Sequence, residues 1–238
     1  MAKGKKILKG AEIISAGLYF KKEGLLAVGD MHIGKEEDLN KEGILIPRTN
    51  FNAIMSELKH ILKKTGKVKT IVLLGDVKHE FGLPSNQEWR EIVELFEFLE
   101  KRCGKIVLLK GNHDNYIKPL AEWKGVELAN KYFTNGLLFA HGNKIISSRG
   151  AEAIVIGHEH PAITLSDEHK REKFKCFVKT EFRGKDLVVL PSLYSLSFGK
   201  DMRSKRFLSP YLKNLKEFEC WVLEKRKVFY FGKIRRKE

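Results

Sequence analysis

The chain has 238 residues, 42% of them hydrophobic and 32% charged, with a formal net charge of +15. This composition excludes a disordered polymer, and the basic start, Met1 to Lys9, runs into Glu12 and Gly17 too soon to be a signal peptide or a membrane span. Cys103, Cys176 and Cys220 are odd in number, widely spaced and without a C-x-x-C pair, which argues against a disulfide framework or a zinc-thiolate site and fits a reducing cytoplasm.

In chain order, Glu12 to Phe20 and Leu25 to Val28, separated by Lys21-Lys22-Glu23-Gly24, predict a hairpin that opens a sheet. Asp30-Met31-His32 follows directly. Lys35 to Glu42 reads as a short charged helix. Asn50 is placed to cap a helix reaching about Lys64, with Phe51, Ile54, Met55, Leu58, Ile61 and Leu62 along one face and Gly66 ending it. Lys69 to Leu74 is a buried strand that stops at Gly75-Asp76. Ser85, with Glu88 after it, resembles a capping box for a helix from about Asn86 to Arg102. Ile106 to Lys110 ends at Gly111-Asn112-His113-Asp114, and a short helix runs from about Asn115 to Trp123.

Strands are expected near Val126, Tyr132 and Leu137, at Ala153 to Ile156, Ile163 to Leu165, Phe174 to Phe182 and Leu187 to Leu190. Leu193 to Pro210 reads as a structured loop. Phe218 to Leu223 pairs with Val228 to Phe231, and a basic tail, Lys233 to Lys237, follows. Strand-helix-strand alternation up to Asp114 signals a parallel sheet, and hairpins dominate afterwards. With no linker or composition break, residues 1–238 are expected to form one domain.

The chemistry lies where apolar strands stop. Leu25 to Val28 runs into Asp30 and His32, Lys69 to Leu74 into Asp76, Ile106 to Lys110 into Asn112, Leu137 to Ala140 into His141, and Ala153 to Ile156 into His158 and His160. In open α/β sheets, ligands bind at the carboxyl ends of strands. Carboxylate, imidazole and amide donors without cysteine suit first-row divalent ions. Seven such residues suffice for two metals, and Asp76, on the central strand, is the natural bridge between ions about 3.5 to 4 Å apart.

The ordered blocks D-x-H, G-D, G-N-H-D, H-G and G-H-x-H resemble the signature of the calcineurin-like metallophosphoesterases. The resemblance implies an α/β fold, a two-sheet β-sandwich flanked by helices in four αββα layers. It also implies one ion held by Asp30, His32, Asp76 and His160 and a second by Asp76, Asn112, His141 and His158. Gly75-Asp76-Val77-Lys78-His79 is similar to the SbcD-type nucleases. Asp30 to Lys35, with Gly43 to Arg48, is similar to compact archaeal SbcD-related phosphoesterases and to bacterial phosphoesterases encoded with DNA ligase and Lhr-type helicases. The chain ends soon after the phosphoesterase core, so no separate DNA-capping domain is expected.

The expected reaction is in-line attack on a phosphodiester by water activated between two divalent metal ions, manganese first, with iron, cobalt, zinc or nickel as alternatives. His113 is the candidate acid, Asp114 is expected to orient its ring, and His79 is a second transition-state donor. The basic charge favours a nucleic acid partner, DNA above all, because phosphates attract the protein and release counterions on binding. A Lys- and Glu-rich chain with one glutamine, Gln87, is also what a hyperthermophile surface looks like. Lys200, Arg203, Lys205 and Arg206, interleaved with Tyr194, Phe198 and Phe207, would supply phosphate contacts and base stacking. The main expectation is a DNA nuclease of repair or processing, with a DNA helicase or ligase as partner and no membrane. The alternatives are a small-molecule phosphoesterase acting on a nucleotide or cyclic nucleotide, and an inactive scaffold of the same fold.

Overall fold

The computed structural model describes residues 6–166, 168–204 and 206–236, so Lys205 and Lys237 lie outside the described residues. The first sheet is built from β1 (Ala11–Ile14), β2 (Gly17–Phe20), β3 (Leu25–Val28), β4 (Val68–Leu73), β5 (Cys103–Leu109) and β6 (Glu127–Ala129), hydrogen-bonded in that order. The expected strand from Glu12 to Phe20 is split in two by a turn at Ser15, whose φ of 54° reverses the chain so that Ile14 faces Gly17. From β3 to β6 every pairing is parallel, so the carboxyl ends of β3, β4 and β5 share one edge.

Between these strands lie α1 (Lys35–Lys41), α2 (Asn50–Thr65), α3 (Asn86–Glu100) and α4 (Lys118–Trp123). The stripe Ile54, Leu58 and Ile61 of α2 and the stripe Ile92, Leu95, Phe96 and Leu99 of α3 are buried against the outer face of the sheet. Each such apolar side chain contributes about 1.5 to 3 kcal/mol on burial. α3 starts with the expected capping box, Ser85 Oγ accepting from the Glu88 amide at 3.1 Å. α2 is begun by Thr49 instead of Asn50, because the Asn50 side chain is drawn inward to other partners.

The second sheet contains β7 (Lys131–Thr134), β8 (Leu137–Ala140), β9 (Ala153–Ile156), β10 (Pro161–Ser166), β11 (Arg171–Phe182), β12 (Lys185–Val189), β13 (Lys200–Asp201), β14 (Glu217–Glu224) and β15 (Lys227–Arg235). Hairpins do not account for all of it. β8 pairs parallel with β9 and β9 parallel with β12, which brings the ends of β8 and β9 to one edge as in the first sheet. The two inner faces share one core, in which Leu18, Phe20, Val72, Val107 and Leu109 meet Phe139, Val155, Phe177, Val188 and Leu190. Among them β9, like β3 in the first sheet, is buried along its whole length and so reads in sequence as an unbroken apolar run.

The mixed α/β sandwich is as expected, but its fourth layer is not helical among the described residues. The outer face of the second sheet, with Leu138, Ile154, Ile156, Val189 and Phe218, is covered by Met202, Tyr211, Leu212 and Leu215. Of that cover only Pro210–Leu212 is helical, a single 3-10 turn. No helix among the described residues is long and apolar enough to cross a membrane.

Candidate metal centre

Seven sequence-predicted donors converge where the two sheets present their strand ends. Asp76 Oδ2 lies 3.9 Å from His32 Nε2 and 3.3 Å from His141 Nε2. His32 Nε2 is 3.3 Å from His160 Nε2, and His160 Nε2 is 3.6 Å from Asp30 Oδ2. On the other side of Asp76, His141 Nε2 is 3.1 Å from both Asn112 Oδ1 and His158 Nδ1. Ligand atoms of Asp76, His141 and His158 all fall within 4.8 Å of one another, as do those of His32, His79 and His113.

The backbone is bent to make this possible. His32, Asp76, His158 and His160 have φ between 48° and 66°. Non-glycine residues rarely occupy this left-handed region, and such strain persists only where the surroundings over-determine it. Here they do. The Met31 and His32 amides both donate to the Asp76 carbonyl at 2.9 Å, and the His158 amide donates to both Asp30 carboxylate oxygens at 3.1 Å. Gly75 has a φ of 100°, and a Cβ there would lie 2.6 Å from His141 Nδ1, so only glycine lets the ring approach.

Asp114 does not orient His113. Its Oδ2 accepts from the amides of Asp76 at 2.7 Å and Gly111 at 2.9 Å, while its Oδ1 accepts from Val77 at 2.9 Å. Being acceptor-only when ionised, a buried carboxylate is the group that can satisfy converging amides, and it clamps the Asp76 loop to the Asn112 loop. His113 is instead fixed by its Nδ1, which donates to the His79 carbonyl, and its amide donates to Asp76 Oδ1 at 2.9 Å. Both ring nitrogens of His79 are engaged, Nδ1 3.2 Å from His32 Nδ1 and Nε2 3.4 Å from Asp38 Oδ2. That geometry fits a ring that sets the orientation of His32 better than a free transition-state donor.

Sequence reading missed four supporting residues. Asn50 Nδ2 donates to the Met31 and His32 carbonyls, and its Oδ1 accepts from Ser195. Glu88, besides capping α3, accepts from the His79 and Glu80 amides at 3.0 and 2.9 Å. Fully buried Lys78 donates to the Gly82 carbonyl at 3.0 Å. Glu159, between two candidate ligands, accepts from Leu208 and Ser209 amides. Asn50 and Glu88 looked like caps, and nothing local marks a long-range acceptor.

Among the described residues, four members of the basic and aromatic cluster of the Leu193 to Pro210 loop have different surroundings. Arg203 is paired with Asp201, Phe207 lies under Arg236, Tyr194 packs 5.5 Å from His32, and Phe198 is exposed.

Charge in the cluster is arranged for a cation. Burial raises the Asp30 pKa, but His160, His141 and His32 together hold it well below the usual carboxylate range. Burial lowers His32 to about 3, with His160 adding to it, and lowers His158 to about 4, with His141 adding to it. Burial also opposes protonation of His141, yet Asp76 and Asp30 raise it to about 9, so its proton balances the carboxylates where a cation would. Burial and the Asp76 charge raise Asp114 to about 6, against its amide bonds. Ionised carboxylate, amide oxygen and neutral imidazole are the donor forms that borderline divalent ions take, so the residues fit such ions.

A two-sheet sandwich whose strand ends gather these donors, in a chain that matches a phosphoesterase family, defines a metal-dependent phosphoesterase, a hydrolase. Residues 25–197 match the calcineurin-like phosphoesterase family model. The chain belongs to the calcineurin-like phosphoesterase family. Among solved structures, nuclease MPE of Pseudomonas putida has a similar fold, with a TM-score of 0.67 and 17% identity, over 92% of this chain and 94% of that one. A single mutant of Vps29 from Entamoeba histolytica aligns with a TM-score of 0.37 and 14% identity, over 90% of this chain and 99% of that one. Protein AQ665 of Aquifex aeolicus, of unknown function, aligns with a TM-score of 0.37 and 19% identity over 57% of this chain and 78% of that one. A search of curated proteins finds no match to the sequence.

Proposed function

We propose that the chain is a single phosphoesterase domain that hydrolyses phosphodiesters, those of DNA, in repair or processing. The observation that carries the reading is Asp76, whose carboxylate stands between His32 and His141 with a donor set on either side. Asp30, His32, Asp76 and His160 would hold one divalent ion and Asp76, Asn112, His141 and His158 the other, manganese being the first choice. Such ions, when bound, acidify water and neutralise phosphate oxygens.

The chain's own residues do the rest. His113 is the acid: in its doubly protonated form the Nδ1 proton is committed to the His79 carbonyl, and the Nε2 proton is the one handed to the leaving oxygen. Asp114 and Glu88 position the loops that carry Asp76 and His79. His79 positions His32.

Three observations support a diester of DNA as substrate. The net charge of +15 favours a polyanion. The G-D-V-K-H block is similar to SbcD-type nucleases, and the block from Asp30 to Lys35 is similar to the ligase- and Lhr-helicase-associated phosphoesterases, which makes a helicase or ligase the partner to seek. A nuclease is among the proteins of similar fold.

The test compares hydrolysis of bis-p-nitrophenyl phosphate, p-nitrophenyl phosphate and single-stranded DNA by metal-stripped protein reloaded with manganese. Diester and DNA cleavage that disappears in Asp76→Ala is expected. Monoester cleavage alone would refute the DNA reading and favour a small-molecule substrate. In His113→Ala, manganese should stay bound while turnover falls about 10²- to 10⁴-fold. Full turnover on substrates with poor leaving groups would remove His113 as the acid.

A further inference from the structure

Phe81 is a large apolar side chain left 54% exposed beside the centre. Its ring lies on His113, with centroids 3.9 Å apart and planes tilted by 31°. His113 is in turn stacked on His79 at 5.0 Å and 27°. Both imidazoles pack beside His32, so the pile of rings begins at a candidate metal ligand and ends in solvent at Phe81.

The ring is held and not merely left over. Glu88 fixes the His79, Glu80 and Ser85 amides on both sides of it, and Lys78 and Glu80 both bond Gly82. Phe81 joins none of the three hydrophobic cores. Keeping that much apolar surface in water forgoes the stabilisation that burial would give. What the arrangement does provide is a fixed aromatic face next to the residue proposed to protonate the leaving group.

We propose that Phe81 is the stacking platform for an unpaired nucleobase next to the scissile phosphate, which makes single-stranded or locally unpaired nucleic acid the substrate class. This rests on the phosphodiesterase reading above. A base inside a duplex has both faces covered by its neighbours, whereas an unpaired base offers a free π-face. Aromatic stacking is indifferent to sequence because every base has such a face. Net positive charge attracts any nucleic acid alike, so the ring, not the charge, discriminates unpaired from paired strands.

The test uses the full chain with manganese and a labelled dT oligomer of about 12 nucleotides made resistant to hydrolysis by phosphorothioate linkages. Phe81→Ala should weaken binding about tenfold. Phe81→Trp should retain affinity, and its added emission should be quenched by the dT oligomer but not by an abasic oligomer of the same length. An unchanged melting temperature of Phe81→Ala checks that the fold is intact. Binding by Phe81→Ala within about twofold of wild type, well short of what one stacked base contributes, overturns the proposal. So does equal binding of dT, abasic and duplex oligomers by wild type. In both cases wild type would still hydrolyse bis-p-nitrophenyl phosphate; loss of that hydrolysis in wild type would instead remove the underlying reading and the proposal with it.

Discussion

The two walls of the centre are built differently. The six-stranded side supplies every oxygen donor, Asp30, Asp76 and Asn112, together with His32, on loops tied down by the buried side chains of Asp114, Glu88 and Asn50. The nine-stranded side supplies imidazoles alone, His141, His158 and His160. Those imidazoles lean on the opposite wall. The His158 amide and the His141 and His160 rings all face Asp30, and His141 Nδ1 bonds the Leu74 carbonyl at 2.7 Å. One wall is therefore held by its own side chains, and the other is held in large part by the first wall's carboxylate.

That asymmetry orders the effects of substitution. The largest is expected at Asp76, the donor common to both proposed ion sites, where Asp76→Ala should lower diester turnover by about 10³-fold or more, read with manganese in excess. Asp114→Asn comes next. An amide would turn a donor toward one pair of the amides that the carboxylate now accepts, costing about 1 to 3 kcal/mol by chemical denaturation. Manganese affinity should fall roughly 10- to 100-fold with it. Glu159→Gln, the matching change on the imidazole wall, keeps one acceptor for Leu208 and Ser209 and should cost about 1 kcal/mol or less, with metal affinity nearly unchanged. Equal losses at Asp114 and Glu159 would remove the asymmetry.

How much of this was legible in the sequence follows from the range of the forces involved. The buried parallel strands announced themselves as apolar runs, and their abrupt ends at Asp30, Asp76, Asn112, His141 and His158 marked the edge where all seven donors meet. The Ser85 and Glu88 box was local and was found. The roles of Asp114, Asn50 and Glu88 were not, because each side chain reaches amides or carbonyls far along the chain that no spacing reveals. The parallel pairing of β8, β9 and β12 was missed for the same reason: the connections between them contain no amphipathic helix to signal a crossover. The Ser15 turn carries neither Gly nor Pro at its reversed position, so the first strand looked continuous.

The most direct measurement is the manganese stoichiometry of the stripped protein by isothermal titration, in wild type and in His158→Ala. Two walls forming one dinuclear centre predict two ions per chain in wild type and one in the variant, with diester hydrolysis lost alongside the second ion. A single ion in wild type, or two ions retained in His158→Ala, would contradict a dinuclear centre completed by the imidazole wall.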